Sequence, residues 1–388
     1  VNAQEAGRIQ GSGHVTAPFT NIRDTGTLGG NATQNWQNPP VNSPDSSSYY
    51  DPMWQKGGQP PLNSDPNLPF RPVPGGVLNE SLCTGGICPP GIYYATEPAC
   101  NGCINTRPSG APIRLGSPSS PTFRFGGSPS PGYTNFADFY FIGGLDIRNN
   151  TALTLDPGRY AFLGVADNRD PVLNIPNGVT MTGGTSENGD PGRILIATDF
   201  KSTSEYPGVA QIWANFRNGA ISGVQGLNDM TWTSSGLMFN KTAIQAGQND
   251  RSVITMYGLK KNDPDVVQAG LNQFTPAVFW QDQHNSYVNY NTNGTVDQSC
   301  GTLNSFCANS PAPNPADAPQ LEIWATPWAR WGGMIYQPRG AWTRLQASGE
   351  DTGPLMIVTG GLNVQGTGNL TLSGPSVPLT VFTVALVE

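Results

Sequence analysis

The chain has 388 residues, enough for one large domain or two ordinary ones. Only 12% of its residues are charged, about half the ~25% of ordinary globular proteins, and the formal net charge is −7. With Lys and Arg scattered and no basic patch, that balance argues against a nucleic-acid phosphate partner. No apolar run reaches the ~18–20 residues of a membrane span, so no span is expected in this chain. The 48 Gly and 36 Pro stand beside 9% aromatics, a mixture that suits a turn-rich β protein better than a disordered one.

Residues 1–80 read as an extended arm rich in Pro, Asn and Gly. Asn38-Pro-Pro, Gln59-Pro-Pro and the prolines at 69, 72 and 74 break any long element. Phe19, Trp36, Tyr49, Tyr50, Trp54 and Phe70 favour an arm docked on something, either a neighbouring subunit or the chain's own body. The sequence begins Val1-Asn2-Ala3 without Met, and a leader or anchor removed by processing is the expectation.

Six cysteines fall in three close pairs: Cys83/Cys88, Cys100/Cys103 and Cys300/Cys307. An even number with local pairing predicts three disulfides and an oxidising, extracellular or cell-surface location. A zinc site built from the first four is the alternative. It is disfavoured by the loose Cys83/Cys88 spacing and by the absence of a nearby His, since His14 and His284 are the only two. Residues 81–135, which carry four of these cysteines, are expected to form a stapled subregion.

From residue 136 to 388 short apolar runs alternate with corners. Phe139–Ile142, Leu145–Ile147, Ala152–Leu155, Arg159–Val165, Val172–Ile175, Val179–Met181 and Arg193–Ala197 are separated by Asn149-Asn150, Asp156-Pro-Gly, Pro176-Asn-Gly and Asp190-Pro-Gly. Ser252–Tyr257 continues the strands. Asp263 and Pro264 then predict a short capped helix. Residues 285–319 read as a polar loop insertion, after which strands resume at Leu321 and end in Val381–Glu388. Strands this short cannot bury a face alone and must stack on similar neighbours. The predicted fold is therefore mainly β, a right-handed β-helix or solenoid-like body at 136–388, with a β-sandwich as the alternative.

Catalytic signatures are sparse. No Ser-His-Asp order, His-Glu-x-x-His or phosphate-binding loop is present, so an enzyme here would depend on carboxylates. Asp167/Asp170, Glu187/Asp190 and Asp263/Asp265 are the dense sites. They suit turn chemistry first, and then structural calcium, the one cofactor considered; catalysis comes last. No catalytic residue and no metal ligand is assigned. Trp324, Trp328, Trp331 and Trp342 cluster near Arg330. They are candidates for stacking on sugar rings, against the plainer role of filling a core or an interface. The six Asn-x-Ser/Thr sequons, among them Asn79, Asn149 and Asn369, mean little in a chain this rich in Asn and Thr.

The segment Gly332-Gly-Met-Ile-Tyr-Gln-Pro-Arg-Gly-Ala-Trp342, with Pro354–Gly368, resembles the extracellular C-terminal region of TadG-like pilus-assembly proteins; the stretch from Arg159 to Gly183 is similar to the same kind of region. The resemblance implies a β-rich body outside the membrane and no catalytic residues. The function expected is a non-enzymatic surface-appendage or pilus-associated subunit, self-assembling or adhesive. Its partners would be copies of itself, pilus proteins or glycans. The alternative is a carboxylate-dependent polysaccharide hydrolase or lyase, or a glycan-binding protein, on a β-helix.

Overall fold

A computed structural model describes most of residues 60–96, 113–116, 122–163, 173–183, 192–198 and 253–281. It also describes the strands at 7–11, 14–17, 27–28, 33–36, 244–246, 320–324, 329–337, 342–347, 350–353, 355–359, 362–366 and 369–372. The described part is mainly β, with one α-helix, and every strand pairing in it is parallel.

The chain visits three sheets in turn and then repeats, which is a solenoid-like architecture. Sheet I begins with Phe70–Pro74, Gly91–Thr96, Ala137–Ile142, Gly158–Leu163, Ile194–Thr198 and Ala277–Gln281. Sheet II takes Val77–Leu78, Ile113–Leu115, Leu145–Ile147, Leu173–Ile175, Ile244–Ala246 and Gln320–Trp324. Sheet III takes Ile87–Cys88, Thr122–Phe125, Ala152–Leu155, Thr180–Gly183 and Val253–Tyr257. The long strand Ala329–Gln337 crosses a corner, pairing with sheet III through Ala329–Gly332 and with sheet I through its second half. Beyond it, Trp342–Ala347 and Leu362–Gly366 extend sheet II, Leu355–Thr359 extends sheet I, and Glu350–Gly353 with Asn369–Leu372 form a separate sheet IV in the third position.

The ladder therefore already runs through residues 70–125. The predicted strands of the body appear within a residue or two of their expected bounds. The loop at 285–319, the strand at 381–388 and the cysteines Cys100, Cys103, Cys300 and Cys307 lie outside the described residues.

Parallel in-register stacking sets the core chemistry. Each rung repeats the one below about 4.8 Å away, so a residue type that recurs once per coil forms a column. Phe139 and Tyr160 stack at 4.9 Å between ring centroids, Phe141 and Phe162 at 5.2 Å, and Tyr93 and Phe141 at 5.6 Å. Phe125 from sheet III meets Phe139 and Phe141 edge-on, each at 5.4 Å. Such pairs contribute roughly 0.5–1.5 kcal/mol each beyond the burial of their area. Aliphatics from sheets II and III, among them Ile113, Leu115, Ile147, Leu153 and Met181, close the same core.

Beyond its first strand, sheet I is buried on both faces. A second apolar cluster covers its outside, joining Leu195, Trp280 and Tyr336 of the sheet to Phe136, Leu259, Val266, Leu271 and Phe274 of two insertions. One insertion, near 258–276, carries helix α1 at Pro264–Gln268. Its cap is as the sequence predicts: the Asp263 side chain accepts from the N–H groups of Asp265 and Val266, and Pro occupies the first turn. The fully buried run Ala277–Gln281 follows from this two-sided burial, because a strand with no wet face has no polar alternation to show.

Corners are stitched from rung to rung. Gly158 N–H donates to Arg193 O at 2.8 Å, Arg193 N–H to Gly258 O at 2.7 Å, and Gly258 N–H to Gly332 O at 2.7 Å. A Cβ on Gly258 would lie 2.2 Å from Pro276 O, so only glycine lets these turns come this close. At another corner Asp156 accepts two bonds from Arg124, at 2.7 and 2.9 Å, and one from Gly127 N–H at 3.0 Å.

At the first coil, Ile92 N–H donates to Pro69 O. Alternation along the strand then leaves Pro72 and Pro74 facing away from the sheet, on its outermost strand among the described residues, where neither offers an N–H. Prolines on an edge strand block the addition of a further strand. The Cys83–Cys88 disulfide pins the neighbouring corner.

Candidate functional site

The most concentrated polar chemistry among the described residues lies on the outer face of sheet I. Asp138 and Arg159 are register partners on consecutive coils, on the face opposite to Phe139 and Tyr160. Arg159 Nε donates to Asp138 Oδ1 at 2.9 Å, and Nη2 makes an ionic contact with the same oxygen at 2.7 Å. Nη1 donates to the carbonyl of Pro61. Asp138 Oδ2 accepts from Asn63 Nδ2 at 2.7 Å, and the Asp138 N–H donates to Ser130 Oγ at 2.8 Å. The guanidinium lies 5.9 Å from the centre of the Tyr140 ring, and the Tyr140 hydroxyl accepts from Asn63 N–H at 2.5 Å. Asp138 is 0% and Arg159 1% exposed.

Asp265 of helix α1 completes the arrangement from the other side. Its two carboxylate oxygens accept from Thr134 N–H at 2.9 Å and Asn135 N–H at 2.7 Å. Asp263 adds a 3.3 Å contact with Arg193 Nη1. Residues 60–68, the loop 127–136 and the helix insertion are thus each tied to sheet I, or to one another, through a carboxylate or a guanidinium.

The electrostatics suit fastening. Burial works against the charge on Arg159, but Asp138 and the two tyrosine oxygens outweigh it and hold the guanidinium above its ordinary range. Burial first, and the Asp138 carboxylate next, push the Tyr133 hydroxyl up; burial drives Tyr140 well up, against the opposing pull of Arg159 and Asn63. Neither phenol therefore gives up its proton near neutral pH.

The carboxylates singled out in the sequence divide. Asp263 and Asp265 are a helix cap and a loop anchor, while Asp167, Asp170, Glu187 and Asp190 lie outside the described residues. Among the described residues no three His, Cys, Asp or Glu side chains converge as a metal site would require, and no helix is long and apolar enough to cross a membrane.

The four tryptophans divide as well. Trp324 and Trp342 sit on neighbouring rungs of sheet II, in register with Gln346 and Gln320, at positions alternating with the Leu321, Ile323 and Leu345 columns. Glu322 and Arg344 are register partners in the same two strands. Trp331 is in sheet III, in register with the buried Met256. Trp328 lies outside the described residues.

The Asp138–Arg159 cluster was missed by sequence reasoning. Its one signal is the separation of 21 residues, also the spacing from Phe70 to Gly91, the starts of the first two strands of sheet I. Fold and site together define a parallel, solenoid-like β protein with an outer layer fastened by buried charge. Comparison with protein-family models, with curated proteins and with solved structures finds no match for the chain.

Proposed function

We propose that this chain is a non-enzymatic structural subunit of an extracellular surface appendage, of the kind its resemblance to TadG-like pilus-assembly regions implies, built on a right-handed β-helix. The observation that carries the reading is the use made of the buried charges. Asp138 and Arg159 are closed off from solvent and hold an outer layer onto sheet I. A hydrolase or lyase needs its carboxylates open to a groove. A stiff body of stacked coils suits a load-bearing or spacing role, and the Cys83–Cys88 bridge suits an oxidising location. The partners are copies of the same chain or other appendage proteins. Immunogold labelling of intact source cells tests this: label on surface structures is expected, and label confined to the cytosol would overturn it.

One observation favours a second reading, glycan binding. Trp324 and Trp342 share one face of sheet II with Glu322, Arg344, Gln346 and Gln320. Aromatic rings beside planar amides and charges suit sugar faces and hydroxyls. A glycan array probed with the wild-type chain and with Trp324→Ala/Trp342→Ala separates the readings. Retained glycans that the double variant loses would support adhesion. An array with no hits would leave the structural role alone.

A further inference from the structure

The strands described between residues 7 and 36 continue the solenoid past Leu362–Gly366. Gly7–Gly11 pairs in parallel with all five residues of that strand, and Thr27–Leu28 pairs with Gly7–Gly11 in turn. In sheet IV, His14–Ala17 pairs with Asn369–Leu372, and Thr33–Trp36 with His14–Ala17. The register preserves the core pattern: Ile175, Ala246, Ile323, Leu345, Val364, Ile9 and Leu28 fall in one column. The polar column beside it runs Glu322, Arg344, Asn363, Arg8, Thr27.

Order matters as much as register. Coils advance from residue 70 toward residue 372, and residues 7–36 go on advancing in the same direction, 7–11 first and 27–28 outside it. Within one chain, residue 36 then sits at one end of the stack while the first coil, which it precedes, lies at the other. Placed on the end of a second copy, the same rungs would lead in correct order into their own first coil at Phe70–Pro74.

Reach permits both. Residues 61 and 63 are fixed beside Arg159 and Asp138, on the fourth and third rungs of sheet I. From there, at about 4.8 Å per rung, the first coil is roughly 10–15 Å away and the rung of Thr27–Leu28 roughly 30 Å. Residues 37–59 extend to roughly 75–80 Å at most. The edges agree as well. The described strands of residues 7–36 add rungs to sheets II and IV and none to sheet I, and sheet I is the one whose first-coil edge carries Pro72 and Pro74.

We infer that residues 7–36 are an exchangeable pair of rungs, and that the edge Leu362–Gly366/Asn369–Leu372 accepts them from a second copy of this chain, giving head-to-tail solenoid filaments. The hydrogen bonds are the same in either arrangement, so concentration selects between them. The inference rests on the structural-subunit reading, which has its own test in where the chain is found.

The test uses the full chain with cysteines at the register pair Gln10↔Gln365. Gln10→Cys and Gln365→Cys are made separately, mixed in mild denaturant, returned to buffer and oxidised, with mass mapping of the new linkage. Exchange predicts a covalent 10–365 dimer in the mixture, rising at least several-fold over a tenfold increase in concentration. The double variant should give a ladder, and adding a chain lacking residues 1–36 should shorten that ladder, because it accepts rungs and donates none. A double variant that closes only within one chain, with mixed singles monomeric at every concentration, would overturn the inference. So would folded variants that form no 10–365 linkage at all.

Discussion

Asp138 and Arg159 stand opposite each other on consecutive coils, 2.7 Å apart and closed to solvent, and together they hold residues 61 and 63 against the outside of sheet I. A buried pair of this kind is weak evidence for net stability, because desolvation offsets much of the attraction. Its removal one side at a time is another matter.

Arg159→Met leaves the Asp138 carboxylate buried with the Asn63 amide as a donor but no cation. A loss of about 3–5 kcal/mol is expected. Asp138→Leu/Arg159→Met should recover a large part of it, since two apolar groups leave no uncompensated charge. Urea unfolding of the two singles and the double gives the cycle. A double variant as unstable as the sum of the singles would contradict the pairing.

Alkaline pH is a second lever. Burial raises the hydroxyls of Tyr140 and Tyr160 well above the ordinary value near 10, and that of Tyr93 as well. Their pKa is higher folded than unfolded, so the native state keeps protons that the unfolded state loses. This contribution to stability is fully present below pH ~10 and is lost progressively above it. Absorbance near 295 nm should therefore show these phenols ionising together with unfolding, and not before.

The Cys83–Cys88 bridge closes a very short loop at the first coil. Removing it by Cys83→Ala/Cys88→Ala should cost about 2 kcal/mol. The effect should be local, with faster hydrogen exchange across residues 70–96 and little change at 277–281. Peptide mapping of the unreduced protein should recover the 83–88 linkage directly.

Gly258→Ala should destabilise more than an ordinary surface glycine change. The new Cβ would meet Pro276 O at 2.2 Å and Ala277 O at 2.7 Å, both backbone atoms that cannot swing away. The corner bonds to Arg193 and Gly332 would part. A thermal midpoint within a degree of wild type would show that the corner is looser than drawn.

Pro72→Thr/Pro74→Thr would restore two N–H donors to the outer side of Phe70–Pro74, the first strand of sheet I among the described residues. In a background lacking residues 1–36, which donates no rungs, concentration-dependent self-association by size-exclusion chromatography is expected of this variant and not of its parent.

Much of this was legible in the sequence. The alternation Ala152–Leu155 and the corner Asp156-Pro-Gly158 announce a strand and its turn locally, because period-two burial and turn chemistry are properties of neighbouring residues. Asp263 followed by Pro264 announces a capped helix for the same reason. Close cysteine spacing announced the 83–88 bridge. What the chain determined by itself was a β-rich, solenoid-like stack and the rough places of its strands.

The tertiary structure decided what crosses between coils. Asp138 and Arg159 look like solvated charges until the coil length makes them register partners, and residues 61 and 63 are too distant in sequence to be read as their lid. Trp324, Trp331 and Trp342 read as one cluster, yet Trp331 pairs in sheet III while Trp324 and Trp342 pair in sheet II, since a change of sheet between strands undoes what a short spacing implies. Ile9 and Leu28 gain meaning only as members of the column that ends at Val364. Parallel pairing joins residues whose separation depends on every insertion between them, and no local pattern records that sum.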